Sequence, residues 1–190
     1  MTAHLVDLEL AAIAATQRGL LTLDQVQRRG GGSSLVGRRL RAGRWSRVGH
    51  HVFRIEGTPT CWQQRVLAAV LDAGCDAVAT SSSAATLWRL PGFTVGEPEV
   101  LVAVGTNHRP AHGRVRETRR LPAHHVTVQQ GVPVLTPARL VVELAAREDP
   151  KRVERATENA IAAAILDPGV ARRRRQRDGG PGPARVNVPP

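Results

Sequence analysis

Between Gln25 and Ile55 the chain carries eight arginines, Arg28, Arg29, Arg38, Arg39, Arg41, Arg44, Arg47 and Arg54, and no acidic residue. A solvated helix face normally mixes signs, because alternating charges support one another and like charges repel, so an unmixed run narrows what the stretch can be. Ser33 and Ser34 open its central part, and either hydroxyl is suited to cap a helix by accepting an N–H of the first turn. Leu35, Val36 and Leu40 then recur on one side at helical spacing, while Arg38, Arg39 and Arg41 fan over the rest. After Gly43 the pattern changes to two short strand-like runs, Trp45 to Val48 and Val52 to Ile55, with Gly49-His50 at the bend. The stretch reads as a short helix followed by a β-hairpin.

An arginine-only face suits a polyanion, since guanidinium groups bind phosphate oxygens bidentately and release condensed counterions. On a helix-plus-hairpin unit the expected partner is double-stranded DNA. Ser33, Ser34, Arg38 and Arg41 are placed nearest bases or phosphates, Arg44, Arg47 and Arg54 on the backbone, and Arg39 completes the set. The net charge of +11 over 190 residues agrees with an acidic partner. Of the 27 basic residues 26 are arginine, which a coding bias can also produce, so the distribution of charge counts for more than its total.

Cys61 and Cys75 are the only cysteines, and neither belongs to a Cys-x-x-Cys pair, so both read as buried small hydrophobes in a reducing cytoplasm. His4 to Thr16 carries Asp7 and Glu9 and is no secretory leader. No apolar stretch approaches the roughly 18 residues of a membrane span. A soluble cytoplasmic protein is expected.

Leu5 to Gln17 reads as a helix with Leu5, Leu8, Ala12 and Ala15 on its buried face, ended by Gly19. Thr22-Leu23-Asp24-Gln25 has capping-box form and starts a second helix, which Gly30-Gly31-Gly32 stops. Helix, helix, turn, arginine-bearing helix, hairpin is the order of a winged helix-turn-helix, whose third helix enters the major groove. The predicted organisation is α+β: a winged helix-turn-helix over residues 1–57, a mixed α/β domain over 58–166, and a disordered basic tail from 167. Under 60 residues, the first domain is expected to lean on the second.

In the second domain Cys61 to Ala73 reads as an amphipathic helix and Ala77 to Thr80 as a buried strand. Ser81-Ser82-Ser83 reads as a helix cap and not as a nucleophile, because no Gly-x-Ser-x-Gly elbow surrounds it. Glu99 to Val104, Arg114 to Thr118 and Val126 to Val134 read as strands, the last broken at Gly131 and Pro133, with a basic loop from Thr106 to Gly113. Thr136-Pro137 and Asp149-Pro150 each combine a capping residue with proline at the first helical position. His50-His51 and His124-His125 lack a Cys or carboxylate at ligand spacing, so no metal is assigned. His124-His125 reads as a surface turn. No catalytic residue and no cofactor are assigned.

The order of Gly19-Leu20-Leu21-Thr22, Arg39-Leu40-Arg41-Ala42-Gly43-Arg44-Trp45-Ser46-Arg47-Val48 and Val52-Phe53 resembles the N-terminal winged helix of the AbiEi antitoxin family. Ser83-Ala84-Ala85-Thr86-Leu87-Trp88-Arg89-Leu90, Gly131-Val132-Pro133-Val134-Leu135-Thr136-Pro137-Ala138-Arg139 and Glu143-Leu144-Ala145 extend the resemblance over about Leu5 to Ala163. It implies a non-catalytic antitoxin of a type IV (abortive-infection) toxin–antitoxin system that binds and represses its own promoter region. It also implies a nucleotidyltransferase-like toxin, countered directly or indirectly. His51 stands where the family's hairpin carries glycine, and Arg139-Leu140-Val141-Val142-Glu143 departs from its Arg-Thr-Leu-x-Asp. Many relatives continue into an endonuclease similar to the very-short-patch repair nucleases, and Gly182 to Val188 resembles its opening strand. Two alternatives stand beside the repressor: a protein-interaction module that counters a toxin without specific DNA binding, and a truncated form of a two-part protein with a C-terminal endonuclease.

Overall fold

Residues 3–107 and 109–166 are described by a computed structural model; the tail expected to be disordered, with its Arg172–Arg175 run, lies outside them. The first helix, α1 (Ala3–Thr16), is apolar on nearly every side. Its buried stripe is Val6, Leu10, Ile13 and Ala14, whereas the residues expected inside lie outside: Leu5 and Leu8 are about half exposed, and Ala12 and Ala15 face solvent. A helix without a polar side carries no directional signal, so its neighbours Leu21, Val26, Val36 and Phe53 choose the face that turns in.

Leu20–Thr22 forms β1, a strand too short for the alternation that reveals strands in sequence. Thr22 then caps α2 (Leu23–Arg28) through the full capping box: Gln25 N–H donates to Thr22 Oγ1 at 3.1 Å and Thr22 N–H to Gln25 Oε1 at 2.9 Å. The glycine turn leads into α3 (Ser33–Arg41), followed by β2 (Trp45–Arg47) and β3 (Val52–Ile55). The three strands make an antiparallel sheet in the order β1-β3-β2, pairing Leu21 with Phe53 and Trp45 with Ile55. Strand alternation gives this sheet two apolar faces. Leu21, Trp45 and Phe53 pack against α1, α2 and α3, while Leu20 and Val52 belong to the core of the following segment. A helical layer on one side and a second segment on the other is how so short a unit buries enough surface.

That second segment begins with α4 (Trp62–Ala73), buried almost all round, but the cysteines that flank it are not the buried residues expected: Cys61 is half-buried and Cys75, past the helix end, is exposed. It continues through β4 (Val78–Ala79), α5 (Ser81–Leu87), β5 (Glu99–Ala103), β6 (Arg114–Thr118), a 3₁₀ turn at Ala123–His125, β7 (Val126–Gln129), β8 (Val132–Leu135), α6 (Pro137–Ala145) and α7 (Pro150–Ala162). The mixed sheet runs β6-β5-β4-β8-β7, parallel at β5/β6 and β4/β8 and antiparallel elsewhere. Gln130 and Gly131 close the β7–β8 hairpin, both at positive φ, the two-residue turn whose twist matches the strands. Pro133 does not break β8: β4 pairs with that strand only at Val134. His125, read as a surface residue, is 5% exposed, tucked behind β8 as the 3₁₀ turn enters β7. Asp149 caps α7 by accepting from Arg152 N–H at 3.1 Å, as its sequence position requires, whereas Thr136 holds the cap position of α6 without a side-chain cap bond, and Pro137 opens that helix.

Polar bonds fasten the segments together. Arg18 donates from Nη2 to the Gln130 carbonyl at 2.7 Å, and Gln64 Nε2 donates to the Arg18 carbonyl at 2.6 Å. Asp72, 3% exposed near the end of α4, accepts the backbone N–H groups of His50, His51 and Ala111. No helix among the described residues is long and apolar enough to cross a membrane.

Candidate nucleic-acid interface

With about 100° of turn per residue, Ser33, Ser34, Gly37, Arg38 and Arg41 fall within one arc of roughly 140° on α3. Val36 is buried on the opposite side, with Leu35, Leu40 and Arg39 partly covered around it. Ser33, Ser34, Arg38 and Arg41 are exposed, and Arg44 is exposed just beyond the helix, after Gly43 at φ +63. Arg38, Arg41 and Arg44 form no ion pair among the described residues, so their charges are uncompensated. Beside α3 lies a depression of about 530 Å³ bordered by the glycine turn, Ser34, Arg38, Arg39 and Arg44.

The serines do not cap the helix as expected. Gly32 holds the cap position with no side-chain bond, and the helix already includes both serines. Gly31 fixes this entry, because a Cβ there would lie 2.6 Å from Val26 Cγ1 and 2.9 Å from Leu35 Cδ2. Packing of the glycine turn thus starts the helix one residue early, and both hydroxyls sit in solvent on its first turn.

The remaining arginines of the predicted set are dispersed. Arg39 turns inward to an ion pair with Asp7 of α1, its side chain 19% exposed. Arg47 donates to the His50 carbonyl at 2.6 Å, with its guanidinium 5.1 Å from the centre of the Phe53 ring. Arg54 pairs across the sheet with Leu20 and donates to Glu56 at 3.0 Å, so it lies on the face turned toward α4, away from α3. The structure therefore gathers Ser33, Ser34, Arg38, Arg41 and Arg44 at one surface, pins Arg39 beneath it, and separates Arg54 from it.

A second polar centre holds the mixed sheet to α5, and the sequence did not reveal it. Glu99, 7% exposed at the start of β5, accepts from Ser82 N–H at 2.9 Å, from Ser82 Oγ at 2.7 Å and from Arg116 Nη2 at 2.9 Å. Ser83 Oγ accepts the Glu99 N–H at 3.0 Å. Burial pushes the Glu99 carboxyl up, but the two bonds from Ser82 and the Arg116 charge outweigh it and hold the group below its ordinary value. Ser82 and Ser83 are thus bonded to a glutamate, and the cap of α5 comes from that carboxylate and not from a serine. Asp72 was missed likewise, though an acid inside the apolar run Val66 to Ala73 is itself a signal.

A family model described as the AbiEi antitoxin C-terminal domain matches residues 73–177, over half of the chain. The match spans β4 to α7, and α1 to β3 lie before it. No match was found among curated proteins.

Proposed function

The chain belongs to the AbiEi antitoxin family, and from that premise we propose that it is a DNA-binding antitoxin of a type IV toxin–antitoxin system that represses its own operon. The observation that carries the reading is the exposed, acid-free arc of α3, with Arg38 and Arg41 in no ion pair among the described residues and Ser33 and Ser34 exposed on the first turn. The succession α1, β1, α2, α3, β2, β3 and the antiparallel sheet agree with a winged helix-turn-helix, in which α3 enters the major groove. Ser33, Ser34, Arg38 and Arg41 reach bases or nearby phosphates, and Arg44 contacts the backbone at the groove edge. Arg39 supports this surface by pairing with Asp7. The segment after Gly57 counters a nucleotidyltransferase-like toxin and performs no catalysis itself.

The test is a gel-shift titration of the Arg38→Ala/Arg41→Ala variant on the chain's own upstream DNA. Loss of two phosphate or base contacts is expected to weaken binding about 10- to 100-fold and, if both contact phosphate, to reduce the salt slope by roughly 1.8. Unchanged affinity refutes the groove assignment. A second reading, in which antitoxin action needs no specific DNA binding, draws on the confinement of the family match to residues 73–177. The same variant, supplied from an unrelated promoter, separates the two: full neutralisation of the toxin without operator binding favours the second.

A further inference from the structure

A cavity of about 710 Å³ opens behind the three-stranded sheet, where the hairpin meets α4, and the DNA reading makes no use of it. Its volume lies within the range of small-molecule sites, and junctions between two packed units are where such sites concentrate. One wall is the α4 stripe of Arg65, Ala68 and Ala69, the facing wall brings Leu20 and Arg54, and His112 stands at the rim. The hollow exists because α4 presents two alanines here, while the bulkier Val66, Leu67 and Val70 of the same helix are spent in the core.

The chemistry of the lining is mixed in a specific way. Val48, Ala68 and Ala111 give an apolar lining, and three arginines border it, of which Arg47 is already engaged by the His50 carbonyl, leaving Arg54 and Arg65. The exposed Arg65 side chain forms no ion pair or hydrogen bond among the described residues. Arg54 uses Nη2 on Glu56, and its buried Nε has no partner. The acid at the rim, Glu97, is held at 2.8 Å by Arg114. Guanidinium forks select tetrahedral and planar oxyanions, and an apolar floor beside them accepts a flat organic body. We propose that this cleft binds a phosphorylated small molecule of mononucleotide size, its phosphate between Arg54 and Arg65 and its body against Val48, Ala68 and Ala111. The proposal is independent of the DNA reading, because Arg54 and Leu20 sit on the sheet face opposite Leu21 and Phe53, which pack toward α3. Since the walls come from both segments, an occupant stabilises their docked arrangement.

Isothermal titration of the full chain with ADP, inorganic pyrophosphate and adenosine tests it. Saturable one-to-one binding of ADP is expected, with pyrophosphate weaker and adenosine weaker still. Arg65→Glu and, from the other wall, Arg54→Gln are each expected to weaken ADP at least about tenfold with the far-UV spectrum unchanged. Arg155→Glu, an exposed cation on α7, is expected to leave ADP binding within twofold. Absence of saturable ADP binding overturns the proposal, as does an equal loss in the Arg155 variant, which would mark a general charge effect. Displacement of ADP by a short DNA duplex would reassign the arginine pair to backbone phosphate and equally overturn it.

Discussion

Replacing Asp72 with asparagine isolates the bond set that fixes the hairpin to the second segment. Oδ2 of Asp72 accepts from His50 N–H at 2.9 Å and from Ala111 N–H at 2.8 Å, and Oδ1 accepts from His51 N–H at 2.8 Å. The contact is close enough that a Cβ on Gly49 would lie 2.6 Å from Asp72 Cγ. An amide has one acceptor oxygen, so however it rotates at least one backbone N–H faces an NH₂ group. The loss is a charge-assisted hydrogen bond together with a donor left unsatisfied in a nearly closed site, about 2–4 kcal/mol in all. For a chain of this length that corresponds to a fall in Tm of roughly 5–12 °C. Urea unfolding followed by far-UV circular dichroism should show a lower midpoint at unchanged slope. Hydrogen exchange should accelerate at the His50 and His51 amides before those inside β3. Asp76→Asn, an exposed neighbour, is expected to change stability by under about 0.5 kcal/mol. If Asp72→Asn melted within about 1 °C of the wild type, the inference that this carboxylate secures the hairpin would be refuted.

Three further perturbations probe other parts of the molecule. Leu10→Ala should cost about 2–5 kcal/mol, because Leu10 is 1% exposed, and Leu8→Ser under about 0.5; comparable losses in equilibrium unfolding would reverse the assignment of the α1 face. Thr22→Ala removes the capping box and should cost about 1 kcal/mol, measured by the shift in urea midpoint, with no change contradicting the cap. Glu99 is held below its ordinary value of 4.5, so the stability it contributes is fully present above that pH and is lost as pH falls through the lower folded-state value. The stability gap between wild type and Glu99→Gln should therefore narrow below pH 4.5, and a gap that widened on acidification would contradict the assigned direction.

Much of the candidate interface was legible because its signals are local. The glycine turn, the arginine helix and the two strand runs each declare themselves within a few residues, and α3, β2 and β3 form where those runs predict. What the pattern did not separate was the set of arginines itself. Arg38, Arg39 and Arg41 lie one turn or less apart, yet Arg39 alone falls on the side where Asp7 waits, and Asp7 is 32 residues away. Arg54 alternates onto the sheet face that α4 covers, a placement invisible until the second segment is docked. The face of α1 was misread for a related reason: leucine and alanine on every side leave the packing partner to decide.

By itself the amino-acid order determined where α2, α6 and α7 begin and which stretch is cationic, since a capping residue, a proline at the first helical position or a run without acids acts on neighbours a few residues off. Tertiary packing decided which guanidinium groups remain in water, that Glu99 is buried and which side of α1 is inside, and docking of one segment on the other closed the hairpin over Asp72. A buried carboxylate persists only where several donors converge on it, and those converging on Asp72 come from 21, 22 and 39 residues along the chain.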